Sequence, residues 1–244
     1  MSLTASSLYR DSANFLRHQL KTITLISLVS AFVTVLLGTV FSPGAEQLSA
    51  LMQSNDNAGS LIEVLQNMSP EQQRILLHSS AVGTLAALLG NTLLLGGMLV
   101  LIPSASSGKR LSALGAIGAS VGFLPALLIQ TFIVTLIVQL GFMAFVIPGI
   151  FLAVLFSLSP VLLSQKRAGI FGSMKQSVPL AWNNMKALAP AVICWLLAKV
   201  VLMFIFASLT ALPATTAAII ATTLGNLLSA MLVIYLFRVY MLIR

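Results

Sequence analysis

Long runs without a charged side chain dominate this sequence and constrain its fold more than any other feature. Residues 22–41, 79–102 and 216–237 contain no Asp, Glu, Lys or Arg, and residues 111–165 form one uncharged stretch of 55. An α-helix rises about 1.5 Å per residue, so about 20 apolar residues cross a hydrocarbon core of about 30 Å. Only 7% of the 244 residues are charged, against about 25% in soluble domains. A water-soluble globule is excluded. The chain reads as an all-α integral membrane protein, long enough for six to eight crossings with short loops and too short to add a large soluble catalytic domain.

Residues 1–21 mix Arg10, Asp11, Arg17, His18 and Lys21 with Leu3, Leu8, Tyr9, Phe15, Leu16 and Leu20, the pattern of a short interfacial helix. The first span follows over residues 22–41. Its apolar run exceeds the usual 7 to 15 residues of a cleavable signal core, so it reads as an uncleaved helix. Residues 42–78 are polar and carry four of the five acids. Ser60 with Glu63 and Ser69 with Gln72 each fit a capping box, and Pro70 suits a first helical position. Two or three short helices are expected there. The helix that starts at Ser69 should continue as the second span, 79–102, with its first turns projecting beyond the bilayer.

Pro103 and the polar residues 104–110 are expected to break that run. The long uncharged stretch then divides into spans at 114–140 and 146–165, with a turn between Gly141 and Gly149, where Pro148 removes a donor. Residues 166–188 form a second interfacial segment with Lys166, Arg167, Lys175 and Lys186. There, residues 171, 174, 178, 182 and 185 fall on one side of a helix, with Trp182 suited to the headgroup layer, and Pro179 predicts a break or kink. The last spans run over 187–209 and 216–237. Gly83, Gly90 and Gly97 recur every seven residues, and Gly118 and Gly122 form a small-xxx-small pair; both patterns predict close helix packing. Three lead-ins, 13–28, 116–132 and 178–195, each pass from a semi-polar stretch into an apolar span. Either three helical-hairpin repeats or a shared composition produces that pattern.

The charges orient the spans. With the N-terminus inside, Arg10, Arg17, Lys21, Lys109, Arg110, Lys166, Arg167, Lys175, Lys186, Arg238 and Arg244 are cytoplasmic, which is 11 of the 13 basic residues. Only Arg74 is outside, in the loop 42–78, and Lys199 lies within the fifth span. The positive-inside rule therefore places both termini in the cytoplasm and the 42–78 loop in the periplasm. The net charge of +8 comes from residues scattered singly or in pairs, with neither a basic stripe nor interleaved aromatics, so nucleic acid is not an expected partner. Cys194 is the single cysteine and can form no intrachain disulfide.

Reaction chemistry is not legible. Membrane hydrolysis or group transfer uses paired carboxylates, a metal cluster or a nucleophile with its base. Here no acid lies beyond residue 71, and His18 and His78 fall on opposite sides of the bilayer in the deduced topology. No P-loop, HExxH or CxxC occurs, and no catalytic residue, metal or cofactor is expected. Lys199 is the exception within its segment, because an ammonium near a helix centre costs roughly 2.5 to 3.5 kcal/mol on insertion scales. Snorkelling, hydrogen bonds to Asn91, Gln130, Gln139 or Asn226, a lipid phosphate, or loss of the proton would each offset that cost. Lys199, Asn91, Gln130 and Asn226 are thus candidate lipid or ligand contacts, and the amides serve equally as interhelical hydrogen bonds.

Tyr9-Arg10-Asp11, residues 67–73 (NMSPEQQ), 116–120 (AIGAS), 195–199 (WLLAK) and 234–244 (IYLFRVYMLIR) resemble the YciC family of uncharacterised bacterial inner-membrane proteins along the whole chain. The resemblance implies a multi-pass inner-membrane protein and supplies no reaction. Ser177, Leu180, Trp182 and Asn183 resemble, more loosely, the interfacial motif of membrane domains attached to some glycerophosphodiester phosphodiesterases, whose separate catalytic domain has no counterpart here. The expected role is non-enzymatic support of envelope or lipid homeostasis, with membrane lipids or a membrane protein as partner. A small transporter or channel using Lys199 and the intramembrane amides is the alternative.

Overall fold

The computed structural model describes residues 5–41, 68–165, 169–207 and 213–243. Among them the secondary structure is helical: α1 (Ala5–His18), α2 (Leu20–Phe41), α3 (Pro70–Ser106), α4 (Ala113–Ser120), α5 (Leu124–Ala144), α6 (Val146–Phe156), α7 (Ser159–Ser164), α8 (Ile170–Asn183), α9 (Met185–Ala207) and α10 (Ala214–Ile243). Six spans are long and apolar enough to cross a membrane: α2, α3, α5, α6 with α7, α9 and α10. The fold is that of an all-α, multi-pass protein. The expected capping box at Ser60, most of the polar loop, Lys166 and Arg167 lie outside the described residues.

The spans close into a ring in chain order. α2 packs on α3, α3 on α5, α5 on α6, α6 on α9, α9 on α10, and α10 returns to α2 while also crossing to α3. Short helices α1, α4 and α8 each precede a pair of spans. Any chain of three hairpins shows that order, so it does not establish a repeat. Inside lipid, burying apolar surface gives helices little drive to associate, and close van der Waals packing takes over. Accordingly, α2 turns Ser27, Ser30 and Ala31 inward, and α3 turns Gly90, Gly96 and Gly97 inward. A Cβ at Gly90 would collide with the Thr34 side chain and lie 2.9 Å from the Ser30 carbonyl oxygen, and one at Gly97 would meet Ile26 at 3.1 Å. Gly83, Gly118 and Gly122 have no neighbour within 4 Å of such an atom. The seven-residue period identifies one helix face, but only its inner part meets a partner. Gly96, absent from that period, fits against Ser120 and Leu124.

Local chemistry sets the helix ends. Ser69 caps α3 through a complete capping box: its backbone N–H donates to Gln72 Oε1 at 2.8 Å and its Oγ accepts from Gln72 N at 3.3 Å. With 37 residues, α3 is about 55 Å long, so it does project beyond a bilayer. The run breaks within the expected segment, after Ser106 and not at Pro103 itself. The exposed proline sits in the last turn, and the helix ends at Ser106, with Ser107 as its C-cap and Gly108 next, whose φ of +78° suits a residue without a Cβ. The third span also differs from expectation, because Val121 to Phe123 interrupt it and leave α4 as a separate short helix; Pro125 then occupies the first turn of α5. The expected turn falls at Phe145, flanked by Gly141 and Gly149 in close approach: a Cβ on Gly141 would lie 3.0 Å from Gly149 Cα.

Two corrections concern α8. Pro179 lies on its exposed face together with Lys175, so the carbonyl left without an N–H partner points outward, and the helix continues to Asn183. Asn184 stops it instead, its Nδ2 donating to the Leu180 carbonyl at 2.9 Å. The face turned to the protein is Ser173, Met174, Ser177 and Ala181, while Phe171 and Trp182 are 73% and 60% exposed. Small side chains let α8 sit close to the bundle, and Ser177 Oγ donates to the Leu155 carbonyl at 2.7 Å. Phe171 and Trp182 point away, while Ile170, Val178 and Leu180 pack partly against the core.

The N-terminal helix is fastened to the last one. Leu8, Ser12 and Phe15 are buried at helical spacing. Tyr9 stacks on Tyr235 with ring centroids 4.8 Å apart, the Arg238 guanidinium lies 5.4 Å from the Phe15 centroid, and Arg238 pairs with Asp11 at 3.3 Å.

Candidate functional site: a polar cavity around Lys199

Trp195 and Lys199 are four residues apart and share one face of α9, with the ammonium 5.7 Å from the indole centroid. Opposite them on α10, Gly225, Asn226 and Ser229 recur at helical spacing. Gly225 makes the approach feasible, since a Cβ there would lie 3.0 Å from Lys199 Nζ. Trp195 Nε1 donates to Ser229 Oγ at 3.3 Å, and Ser229 Oγ donates onward to the Gly225 carbonyl at 3.0 Å. Asn226 Nδ2 donates to the Ser27 carbonyl at 3.1 Å, which ties α10 to α2.

Together these side chains line a cavity of about 420 Å³. Five of the six spans contribute: Thr34 from α2, Thr84 and Asn91 from α3, Thr135 and Gln139 from α5, the Trp195 and Lys199 pair from α9, and Thr222, Asn226 and Ser229 from α10. Thr84 and Gln139 are exposed, so the cavity reaches the surface between α3 and α5. Thr34 and Thr84 direct their hydroxyl protons to the Ser30 and Ser80 carbonyls, at 2.9 and 2.8 Å. That leaves their oxygens as acceptors, and the Lys199 ammonium and Asn91 amide as donors. Among the described residues Lys199 has no ion pair, and Asp11 and Glu71, the acids described, lie at α1 and at the start of α3. The charge is half-buried against a ring face, with no carboxylate beside it among the described residues.

Of the candidates read from the sequence, Lys199, Asn91 and Asn226 meet in this cavity, with Gln139 at its rim. Gln130 does not join them. It is fully buried one chamber away, in a cavity of about 350 Å³ that is mostly apolar and shares Asn91, Thr135, Gln139, Trp195 and Ser229 with the first. Its Nε2 donates to Ser173 Oγ of α8 at 2.6 Å. Gly225, Trp195, Ser229 and the four threonines escaped sequence reading, because small hydroxyls and a glycine within an apolar run are ordinary packing residues. The four-residue spacing of Trp195 to Lys199 and of Gly225 to Ser229 was the available signal. Among the described residues no group of three or more His, Cys, Asp or Glu could hold a metal ion.

The family described as "Uncharacterised protein family (UPF0259)" matches residues 1–242. The chain belongs to the UPF0259 family. Proteins named UPF0259 membrane protein from Yersinia pestis (strain Pestoides F) and from Yersinia pseudotuberculosis serotype O:3 (strain YPIII) are each 48% identical to it over 249 aligned positions, covering 100% of this chain and 97% of theirs. The resemblance to the YciC proteins is thereby confirmed along the whole chain. No solved structure matches. This UPF0259 chain is a multi-pass membrane protein.

Proposed function

We propose that this UPF0259 protein is a non-enzymatic inner-membrane protein that binds an anionic lipid headgroup in the ring of spans, in support of envelope or lipid homeostasis. The observation that carries the reading is the Lys199 ammonium, without a carboxylate partner among the described residues, on the wall of a cavity that also presents Asn91, Asn226 and threonine hydroxyls. A buried charge left unpaired costs several kcal/mol, and a phosphate or carboxylate beside it recovers much of that. The basic-residue count favours cytoplasmic termini, which puts this cavity in the periplasmic half of the membrane. An interior cavity with an apolar chamber next to a polar one suits an amphiphile better than a small hydrophilic solute.

Native mass spectrometry of the protein extracted in polymer discs tests this. Wild type and Lys199→Arg are expected to retain anionic lipid that Lys199→Ala loses; equal retention by all three overturns the reading. Transport is the second reading, favoured by one observation, that five of the six spans share the cavity wall. It requires a flux into liposomes that Lys199→Ala abolishes.

A further inference from the structure

Gln130 poses a problem that the headgroup reading leaves unsolved. It is 0% exposed, and its Oε1 has no hydrogen-bond partner. The neighbour bonded to the amide is Ser173 of α8. Ser173 Oγ gives its only proton to the Ile170 carbonyl at 2.8 Å, so toward Gln130 it can only accept. With the NH₂ group donating to Ser173 at 2.6 Å, the carbonyl oxygen is the unpartnered end of a side chain that lines the apolar chamber. A buried acceptor without a donor is costly, and native proteins rarely leave one. Among the chamber's other lining groups Thr131 and Ser159 have already spent their protons on the Leu127 and Phe156 carbonyls of the same chain, each at 2.7 Å.

We infer that the apolar chamber and the Lys199 cavity form one composite site for an anionic amphiphile whose chain carries a hydroxyl, with the anionic end at Lys199 and the hydroxyl donating to Gln130 Oε1. The inference rests on the headgroup reading for the anionic end and on Gln130 alone for the hydroxyl. The two cavities share Thr135 and Gln139. Gln130 and Gln139 are nine residues apart on α5, about 13 Å along the helix, so the hydroxyl belongs part-way down the chain and not beside the charge. An unbranched apolar chain lies between, against Val134, Val138 and Leu232.

The test uses the full chain in polymer discs with two probes, 10-hydroxyoctadecanoate and octadecanoate, and compares their Kd values. Wild type is expected to bind the hydroxylated probe roughly fivefold more tightly, a comparison that needs no variant to fold. Gln130→Met, of similar length and without an amide acceptor, is expected to erase the preference, and Lys199→Ala to weaken both probes together. Equal wild-type affinities, or a preference that survives Gln130→Met, overturn the acceptor role of Gln130, even where Lys199 dependence upholds the headgroup reading. A preference without any Lys199 dependence overturns the headgroup reading and keeps the acceptor.

Discussion

Lys199 and the glycines illustrate how single residues carry opposite effects at one site. The Lys199 ammonium is half-buried with no carboxylate beside it among the described residues, so replacing it with an apolar chain of similar length should relieve the unliganded protein. Lys199→Met is expected to unfold in lipid-free detergent with higher stability than wild type, by about 1 to 3 kcal/mol, and to lose any stabilisation by added anionic lipid. A thermal melt with and without phosphatidylglycerol checks both; a Lys199→Met protein less stable than wild type without lipid contradicts the account. Gly90 and Gly83 make a second contrast. Gly90→Ala forces a Cβ onto Thr34 and the Ser30 carbonyl and should destabilise by about 1 to 3 kcal/mol. Gly83→Ala meets open space and should be neutral or stabilising by up to about 1 kcal/mol through helix propensity. Denaturation of the two variants side by side in one detergent distinguishes them. Heptad spacing made all three glycines of the stripe visible in the sequence, but it carries no information about how far the neighbouring helix extends along that face.

At the scale of elements, the ends of helices are governed by local chemistry and the relations between helices are not. The Ser69 capping box was legible because it is a contact within four residues. Ser69→Ala removes it and should cost about 1 kcal/mol, read as faster amide exchange across the first turn of α3 with the rest of the helix unaltered. The α1–α10 clamp joins residues more than 220 positions apart, Asp11 to Arg238, and nothing in the sequence paired them. Arg238→Ala takes away the guanidinium from both Asp11 and the Phe15 ring. It should loosen α1 by about 1 kcal/mol, seen as earlier protease cleavage within residues 5–18 while the spans stay protected. Pro179 misled the sequence reading because it lies on an exposed face near the end of α8, beside the exposed Lys175 whose carbonyl it leaves without an N–H partner; Pro103 lies in the last turn of α3, and the break expected over 103–110 falls after Ser106.

Among the described residues six spans form a ring closed by α10, and charge placement predicts its orientation. On a Cys194→Ser background, Glu71→Cys is expected to react with a membrane-impermeant maleimide in intact cells, and Lys109→Cys only after permeabilisation. The reverse pattern would invert the topology and move the Lys199 cavity to the cytoplasmic half. Because Trp195 to Lys199 and Gly225 to Ser229 come from adjacent spans while Thr34, Asn91 and Thr135 come from three others, the cavity exists only when the ring closes.

The sequence by itself determined the membrane class, the number of spans, the family and the oddity of Lys199. Each of these depends on properties summed along a continuous stretch: apolar length, charge placement, local motif. Only the tertiary structure decided that Lys199, Asn91 and Asn226 share a cavity, that Gln130 stands apart with a bare carbonyl oxygen, and which glycines are covered. Those facts depend on which helix faces which. In a bilayer each span is apolar around most of its circumference, so hydropathy encodes the facing side weakly, and close packing of small residues selects it instead.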